Sequence, residues 1–577
     1  MHPGPPYTAG FATLGGPTAA ATAAMLQACA ERLLRSLSPI GLILGTLFFA
    51  VSLTPSLVPR PFVMQGLLSG VALAAGYGIG VFGRWLWHYL ELPVVHGRSR
   101  WVLKGLLGLF CLGVAVAFLL QASAWQDSVR TLMQMPPVES SRPLSVGLIA
   151  SAVFAVLLAL ARLFGLCARL VSRWMNRLVP RRISAMAGLL TALLLFWSVI
   201  DGVFARFVMN AFDTSFAQLD ALIEDEVEPP QDALVTGSPA SLIAWKDLGR
   251  QGRRFVARAP SADELARFGD APVQQPLRVY AGLNSADSIA GRVELAFQEL
   301  LRSGGFERAV LVIVTPTGTG WIDPGAITSL EYLHRGDVAS VAVQYSYLPS
   351  WLSLLAQPDY GADTARALFQ RVYGHWQGLP AAQRPRLYLH GLSLGALNSQ
   401  RSAEAWEIVG NPLHGALWSG PPFRSTNWQW LTANRNPGSP AWLPRFRDGA
   451  LVRFANQDGT LEDFDAPWGP LRIVYLQYAS DPVSFFDPLA FLREPEWLSG
   501  PRGPDVSPAL RWFPVVTMLQ LAVDIAAGDK APAGYGHVYA TEHYIDAWLA
   551  VSAPTGWSAA EIDRLKATIG NLGRLPQ

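Results

Sequence analysis

Cysteine is scarce: Cys29, Cys111 and Cys167 are the three thiols of a 577-residue chain, and none follows. So few thiols exclude a disulfide-stapled scaffold, and a long thiol-free C-terminal region fits an oxidising compartment. Neither C-x-x-C nor H-E-x-x-H spacing occurs, so no zinc site is expected, and no other metal or organic cofactor is implied. "LQAC" at Leu26–Cys29 lacks the preceding basic residues and unbroken apolar run of a lipoprotein signal. Charge is scarce as well: 15% of residues carry it, against roughly 25% in an average soluble domain. With a formal net charge of +2 and no basic stripe interleaved with aromatics, a nucleic-acid partner is not expected.

Apolar residues fill the difference, at 51% of the chain. A membrane-crossing helix needs about 20 mostly apolar residues. Five segments meet that pattern, from Pro39 to Leu57, Val63 to Leu90, Trp101 to Leu120, Leu144 to Leu170 and Ile183 to Val208. The expected organisation is therefore a membrane domain over 1–210, an acidic to mixed connector over 211–275, and a soluble domain over 276–577. Arg84, Arg98, Arg100 and Lys104 cluster at the second loop, and Arg169, Arg173, Arg177, Arg181 and Arg182 at the fourth, while the first and third hold only Arg60, Arg130 and Arg142. Arg32 and Arg35 precede the first span. Cationic loops stay on the cytoplasmic side, so this alternation predicts a cytoplasmic N-terminus and a soluble domain on the other side of the membrane. Gly41/Gly45 and Gly76/Gly80 read as helix-packing pairs. Asp201, near the outer end of the fifth span, reads as an interfacial acid. No array of charges resembles a transport path, so the role expected of the spans is anchorage in the bilayer.

Beyond Pro276, short apolar runs alternate with helical stretches: "LRVYAGL", "RAVLVIV", "VASVAV", "RLYLHG", "GALWS" and "LRIVYL" are the runs. Runs apolar on both faces predict a mostly parallel sheet with helices packed on it, an α/β domain. Within it, "HGLSLG" sets Ser393 between Gly391 and Gly395, after a strand-like run and before a helix-like one. A sharp turn there, a nucleophile elbow, would lift the hydroxyl above the sheet at a helix N-terminus.

A serine hydroxyl needs a base, and the base an orienting carboxylate, in the order Ser, Asp, His. Asp481 closes the strand-like "LRIVYLQYASD", with Asp487 and Asp465 as alternatives. His537 lies in the Gly-rich "AGYGHV" just before a helical run and is favoured over His543, which falls inside that run; His390 reads as structural. An oxyanion hole would take the amide of Leu394 and a second from "TPTGTGW", at Thr317 or Gly318. Insertions over 421–470 and 484–515 carry Trp428, Trp430, Trp442, Trp468, Trp497 and Trp512, which would either cap the site or anchor surface loops.

Taken together, "TPTGTGWIDPG", "QYSYLPSW", "HGLSLGALNSQRS", "SGPPF", "ASDP" and "GYGHVYATEHYIDAW" resemble a bacterial family of membrane-anchored α/β-hydrolases, whose members join a multi-span N-terminal domain to a C-terminal hydrolase domain. The resemblance covers the chain from the first span onward and implies an α/β-hydrolase fold with Ser393, Asp481 and His537 as the triad. Members often carry a histidine two places before the catalytic one, where this chain has Tyr535. The function expected is a tethered serine hydrolase of carboxylic esters, lipid-like ones included. The alternatives are an envelope acyltransferase using the same acyl-enzyme, and a catalytically silent binding or scaffold protein.

Overall fold

The computed structural model describes residues 36–93, 99–199, 202, 220, 228–268, 271–349, 360–459 and 461–570. Cys29, Arg32, Arg35, Arg98, Asp201, the end of the expected fifth span and most of the acidic flank lie outside them. The N-terminal half is helical: α1 (Pro39–Ser52), α2 (Phe62–Tyr89), α3 (Ser99–Leu132), α4 (Pro143–Met175) and α5 (Arg181–Trp197). Among the described residues three of them, α2, α3 and α4, are long and apolar enough to cross a membrane, fewer than the five expected, and they fit a membrane anchor. No residue of the most apolar stretch of α3 is buried inside the protein.

The first expected span fails for a local reason. Pro55 cannot continue a helix and disfavours helical geometry at Thr54, so α1 stops at Ser52 after 14 residues. At 1.5 Å per residue that is about 21 Å, short of the hydrocarbon thickness. The fifth is described as helix for 17 residues. Helices α1 and α2 meet through their glycines: a Cβ on Gly80 would fall 2.6 Å from the Gly41 Cα.

The C-terminal half is built on seven strands: β1 (Leu277–Ala281), β2 (Val310–Thr315), β3 (Val338–Val343), β4 (Arg386–Leu392), β5 (Gly415–Ser419), β6 (Val452–Ala455) and β7 (Arg472–Leu476). Their order is β1-β3-β2-β4-β5-β7-β6, and every pair is parallel. The longer helices are α6 (Gly249–Ala257), α7 (Ile289–Arg302), α8 (Pro324–Leu333), α9 (Tyr360–Gly378), α10 (Leu394–Ser402), α11 (Val516–Ile525), α12 (Thr541–Ser552) and α13 (Ala559–Ile569). Helices α8 and α12 pack together on one face of the sheet, and α7, α9 and α10 on the other. Strands such as Val310–Thr315 and Val338–Val343 are buried throughout, as runs apolar on both faces demand.

Chain order turns around between β2 and β4, so the loops after these strands leave for opposite faces and open a crevice between them. Thr315 lies across from Gly391, Leu392 from Ser419, and Ser419 from Leu476, which aligns the carboxyl ends of four strands. Two expectations change in detail. Ile243, Leu248, Phe255 and Leu265, assigned to the connector, are buried in the same core as the sheet. The insertion over 421–470 contains β6, so part of it extends the sheet rather than covering it. Two of its tryptophans act as loop anchors: Trp428 Nε1 donates to Gln477 Oε1 at 2.6 Å and Trp442 Nε1 to the Pro501 carbonyl at 2.8 Å. Trp430 is exposed.

The two halves meet at the turn after α1. Leu57 is wholly buried and belongs to the sheet's hydrophobic core. Its amide donates to Asp524 Oδ2 on α11 at 3.0 Å, Ser56 Oγ donates to the same oxygen, and Arg60 Nε stands 3.7 Å from Oδ1. Gln520, one turn earlier on α11, donates to the Thr54 carbonyl at 3.1 Å. Val58 packs with Val129, Met133, Ala527 and Ala531. Asp524 and Arg60 have fully buried side chains, so removing one leaves an uncompensated charge. Asp524→Ala is expected to destabilise the full-length protein by about 3–5 kcal/mol, measured by chemical denaturation in detergent.

Candidate active site

Ser393 follows β4 and caps the N-terminus of α10 with φ 57° and ψ −126°. A side chain strongly disfavours this region, which costs about 1–3 kcal/mol. The turn persists because its surroundings leave no alternative. A Cβ on Gly395 would fall 2.2 Å from the Thr315 carbonyl oxygen, and one on Gly391 would fall 2.5 Å from the Gly395 carbonyl. The two glycines thus let β2, β4 and α10 converge on one point. The Ser393 amide donates to the Ser419 carbonyl at 2.9 Å, tying the turn to the end of β5. Leu394 opens α10, so its N–H has no acceptor within the helix.

Asp481 follows β7 and is completely buried. Its Oδ1 accepts the Val483 amide at 2.8 Å, capping the short helix Pro482–Phe485. Its Oδ2 lies 2.8 Å from His537 Nδ1 and accepts the Tyr539 hydroxyl at 2.7 Å. A buried carboxylate is tolerable only with donors on both oxygens, and these contacts supply them. The loop bearing His537 is clamped separately: the His537 amide donates to the Gly528 carbonyl at 3.2 Å, and the Gly536 amide to Ser480 Oγ at 2.8 Å. The imidazole lies against Gly420, where a Cβ would fall 2.7 Å from Cε1. Gly420 directly follows Ser419, whose carbonyl holds Ser393, so both side chains flank one corner. His537 Nε2 is buried and makes no hydrogen bond among the described residues.

The remaining candidates fall elsewhere. His390 Nδ1 pairs with the Leu417 carbonyl at 2.9 Å, and burial lowers its pKa to about 4. His543 Nδ1 pairs with the Tyr478 hydroxyl at 2.7 Å. Asp487 caps its own short turn at Leu489, and Asp465 is exposed. The Thr317 amide is committed to the Trp321 carbonyl at 2.9 Å, which corrects its place among the amide donors; Gly318 sits in the same turn. Sequence reasoning missed Tyr539 and Asp323. Asp323 caps α8 through the Gly325 amide at 2.9 Å and accepts the Tyr544 hydroxyl at 3.1 Å. Burial pushes its carboxyl up to about 6, against the smaller lowering effects of these donors and of the nearby His537. Among the described residues no group of side chains could hold a metal ion.

Residues 277–565 match the model of a family described as the alpha/beta-hydrolase family, and residues 53–260 match the model of that family's N-terminus. No curated protein and no solved structure gives a match.

The strain at Ser393 is measurable independently of any activity. Ser393→Gly is expected to stabilise the protein by about 1–3 kcal/mol in chemical denaturation, whereas Ser393→Ala, still carrying a Cβ, gains no such amount. Asp323 gives a pH signature. Its folded pKa of about 6 lies above the ordinary 3.8, so the native state holds the proton more tightly. Its contribution to stability is greatest at low pH and declines as pH rises through that window. Asp323→Asn is expected to remove this decline, so that in chemical denaturation the stability of wild type relative to the variant falls as pH rises across the same range.

Proposed function

The chain belongs to the alpha/beta-hydrolase family, and from that membership we propose that it is a membrane-tethered serine hydrolase of carboxylic esters, lipid-like ones included. The observation that carries the reading is the strained Ser393 turn beside the buried His537–Asp481 pair. In the proposed cycle Ser393 Oγ attacks the ester carbonyl carbon and its proton passes to His537 Nε2. The negative charge that develops on the carbonyl oxygen is met by the Leu394 amide at the start of α10. Collapse breaks the ester C–O bond, and His537 returns the proton to the leaving alkoxide. Water then repeats the sequence, releasing the acid and restoring the serine. Asp481 holds the imidazole as the Nδ1–H tautomer.

The arginine distribution supports an orientation. Arg169, Arg173, Arg177, Arg181 and Arg182 lie around the loop between α4 and α5. The turn after α1, by contrast, reaches Asp524, and Ser128 near the end of α3 lies 2.9 Å from Ser507. The cation-poor end therefore faces the hydrolase half. Under the positive-inside bias this supports catalysis on the side opposite the cytoplasm.

A fluorophosphonate probe tests the chemistry in detergent-solubilised full-length protein. Wild type is expected to label, while Ser393→Ala does not, and His537→Ala labels at least about a thousandfold more slowly. Equal labelling of wild type and Ser393→Ala overturns the assignment.

A further inference from the structure

Helix α11 of the hydrolase half is inside out. Its ten residues include three polar ones, Thr517, Gln520 and Asp524, and all three are buried. Each has partners: Thr517 Oγ1 accepts the Phe513 amide at 2.8 Å, Gln520 reaches the Thr54 carbonyl, and Asp524 holds Ser56 and Leu57. The opposite stripe, Val515, Met518, Leu519, Ala522 and Ala526, is apolar throughout and partly or fully exposed. These positions recur at steps of three and four residues, so they share one helix face. A helix on the surface of a protein in water carries the reverse pattern.

The apolar surface extends to both sides of α11. The Phe491 carbonyl accepts the Val515 amide at 3.1 Å, and Trp512 Nε1 donates to the Ala490 carbonyl at 2.8 Å, which ties the turn Pro488–Phe491 to the start of α11. That turn and the residue after it expose Leu489, Phe491 and Leu492. On its buried side α11 packs against α1 and α2. Val63, Leu67 and Val71, at four-residue steps in the hydrolase-facing half of α2, are exposed as well. Apolar surface thus passes from a helix long enough to cross a membrane to the hydrolase half. Gln520 Nε2 lies 3.4 Å from the Ser52 carbonyl and 3.1 Å from that of Thr54, so α11 lies across the end of α1. Helix α1 falls short of a hydrocarbon thickness of about 30 Å, and α11 occupies the place of the missing length. At about 15 Å, α11 is itself too short to span.

We propose that the hydrolase half has a membrane contact of its own: α11 and the turn Pro488–Phe491 lie in the leaflet on the hydrolase side, with their exposed apolar side chains among the acyl chains. Hydrocarbon is the surrounding that favours polar side chains turned inward and apolar ones turned outward. The short helix Pro482–Phe485, capped by Asp481, packs on α11, so the buried carboxylate stands one helix away from the lipid. The contact does not depend on any hydrolytic activity.

Spin labels test the placement in full-length protein reconstituted into phosphatidylcholine vesicles, with Cys29, Cys111 and Cys167 changed to Ser. One label is carried by Leu492→Cys, another by Leu519→Cys. Val409→Cys, exposed ahead of β5, is the reference in water. Relaxation by oxygen, which partitions into hydrocarbon, is compared with relaxation by a water-soluble nickel chelate. Oxygen is expected to dominate at positions 492 and 519 and nickel at position 409. Leu492→Cys, on an exposed side chain, carries the comparison alone where Leu519→Cys does not fold. Nickel access at either site equal to that at position 409 places the surface in water and overturns the proposal. Shielding from both reagents, as a second copy packed on the face would give, overturns it too.

Discussion

The backbone at Ser393 is the constraint on which the hydrolase half depends. Its φ of 57° and ψ of −126° form a conformation that an isolated chain avoids. It survives because β2, β4, β5 and α10 converge there, with the Thr315 carbonyl close to Gly395 and the Ser419 carbonyl bound to the Ser393 amide. Strain of about 1–3 kcal/mol is small beside the burial of a seven-stranded sheet, yet it is a large fraction of the net stability of a folded domain. It persists only where the packing has no cheaper arrangement. The result is a hydroxyl raised at the mouth of a helix, on the crevice where the chain order turns around.

The second requirement is a rigid acid–imidazole unit. Asp481 is buried, so its charge is tolerable only with the donors that surround it: the Val483 amide, His537 and the Tyr539 hydroxyl. Tyr539 is itself held by stacking on Tyr478, with ring centroids 4.5 Å apart. Each contact restricts where the imidazole can swing. The carboxylate acts at once as helix cap, hydrogen-bond hub and tether, and these roles reinforce one another because each fixes the same two oxygens.

Much of this was legible in the sequence. Runs such as "VLVIV" and "VASVAV" have no polar face to expose, and such strands belong inside a parallel sheet. The order of Ser393, Asp481 and His537 follows from strand ends and a glycine-rich loop, and the last two are in contact. What escaped notice had no period or motif. Tyr539 is one of several aromatic residues in its stretch, and its bond to Asp481 spans 58 residues of chain. Hydropathy averaged over a window does not register Pro55, so the apolar pattern runs on to Leu57 although the helix ends at Ser52. The Thr317 amide was nominated by its place after β2, but the local turn to Trp321 could not be foreseen from composition. The apolar residues of the connector, Ile243 and Leu248 among them, are too sparse to show a period, and they fill the core of the sheet.

The turn after α1 has a consequence for the order of biogenesis. Residues 53–61 leave the ribosome long before Asp524 and Gln520, yet Leu57 ends among side chains of the sheet. The first helical hairpin must therefore wait until more than four hundred further residues have been synthesised and α11 has formed. Only then does the plug find its socket. A hydrolase half made alone would mature with that socket open, an apolar groove with Asp524 at its base, and its final closure belongs to the residues after α1.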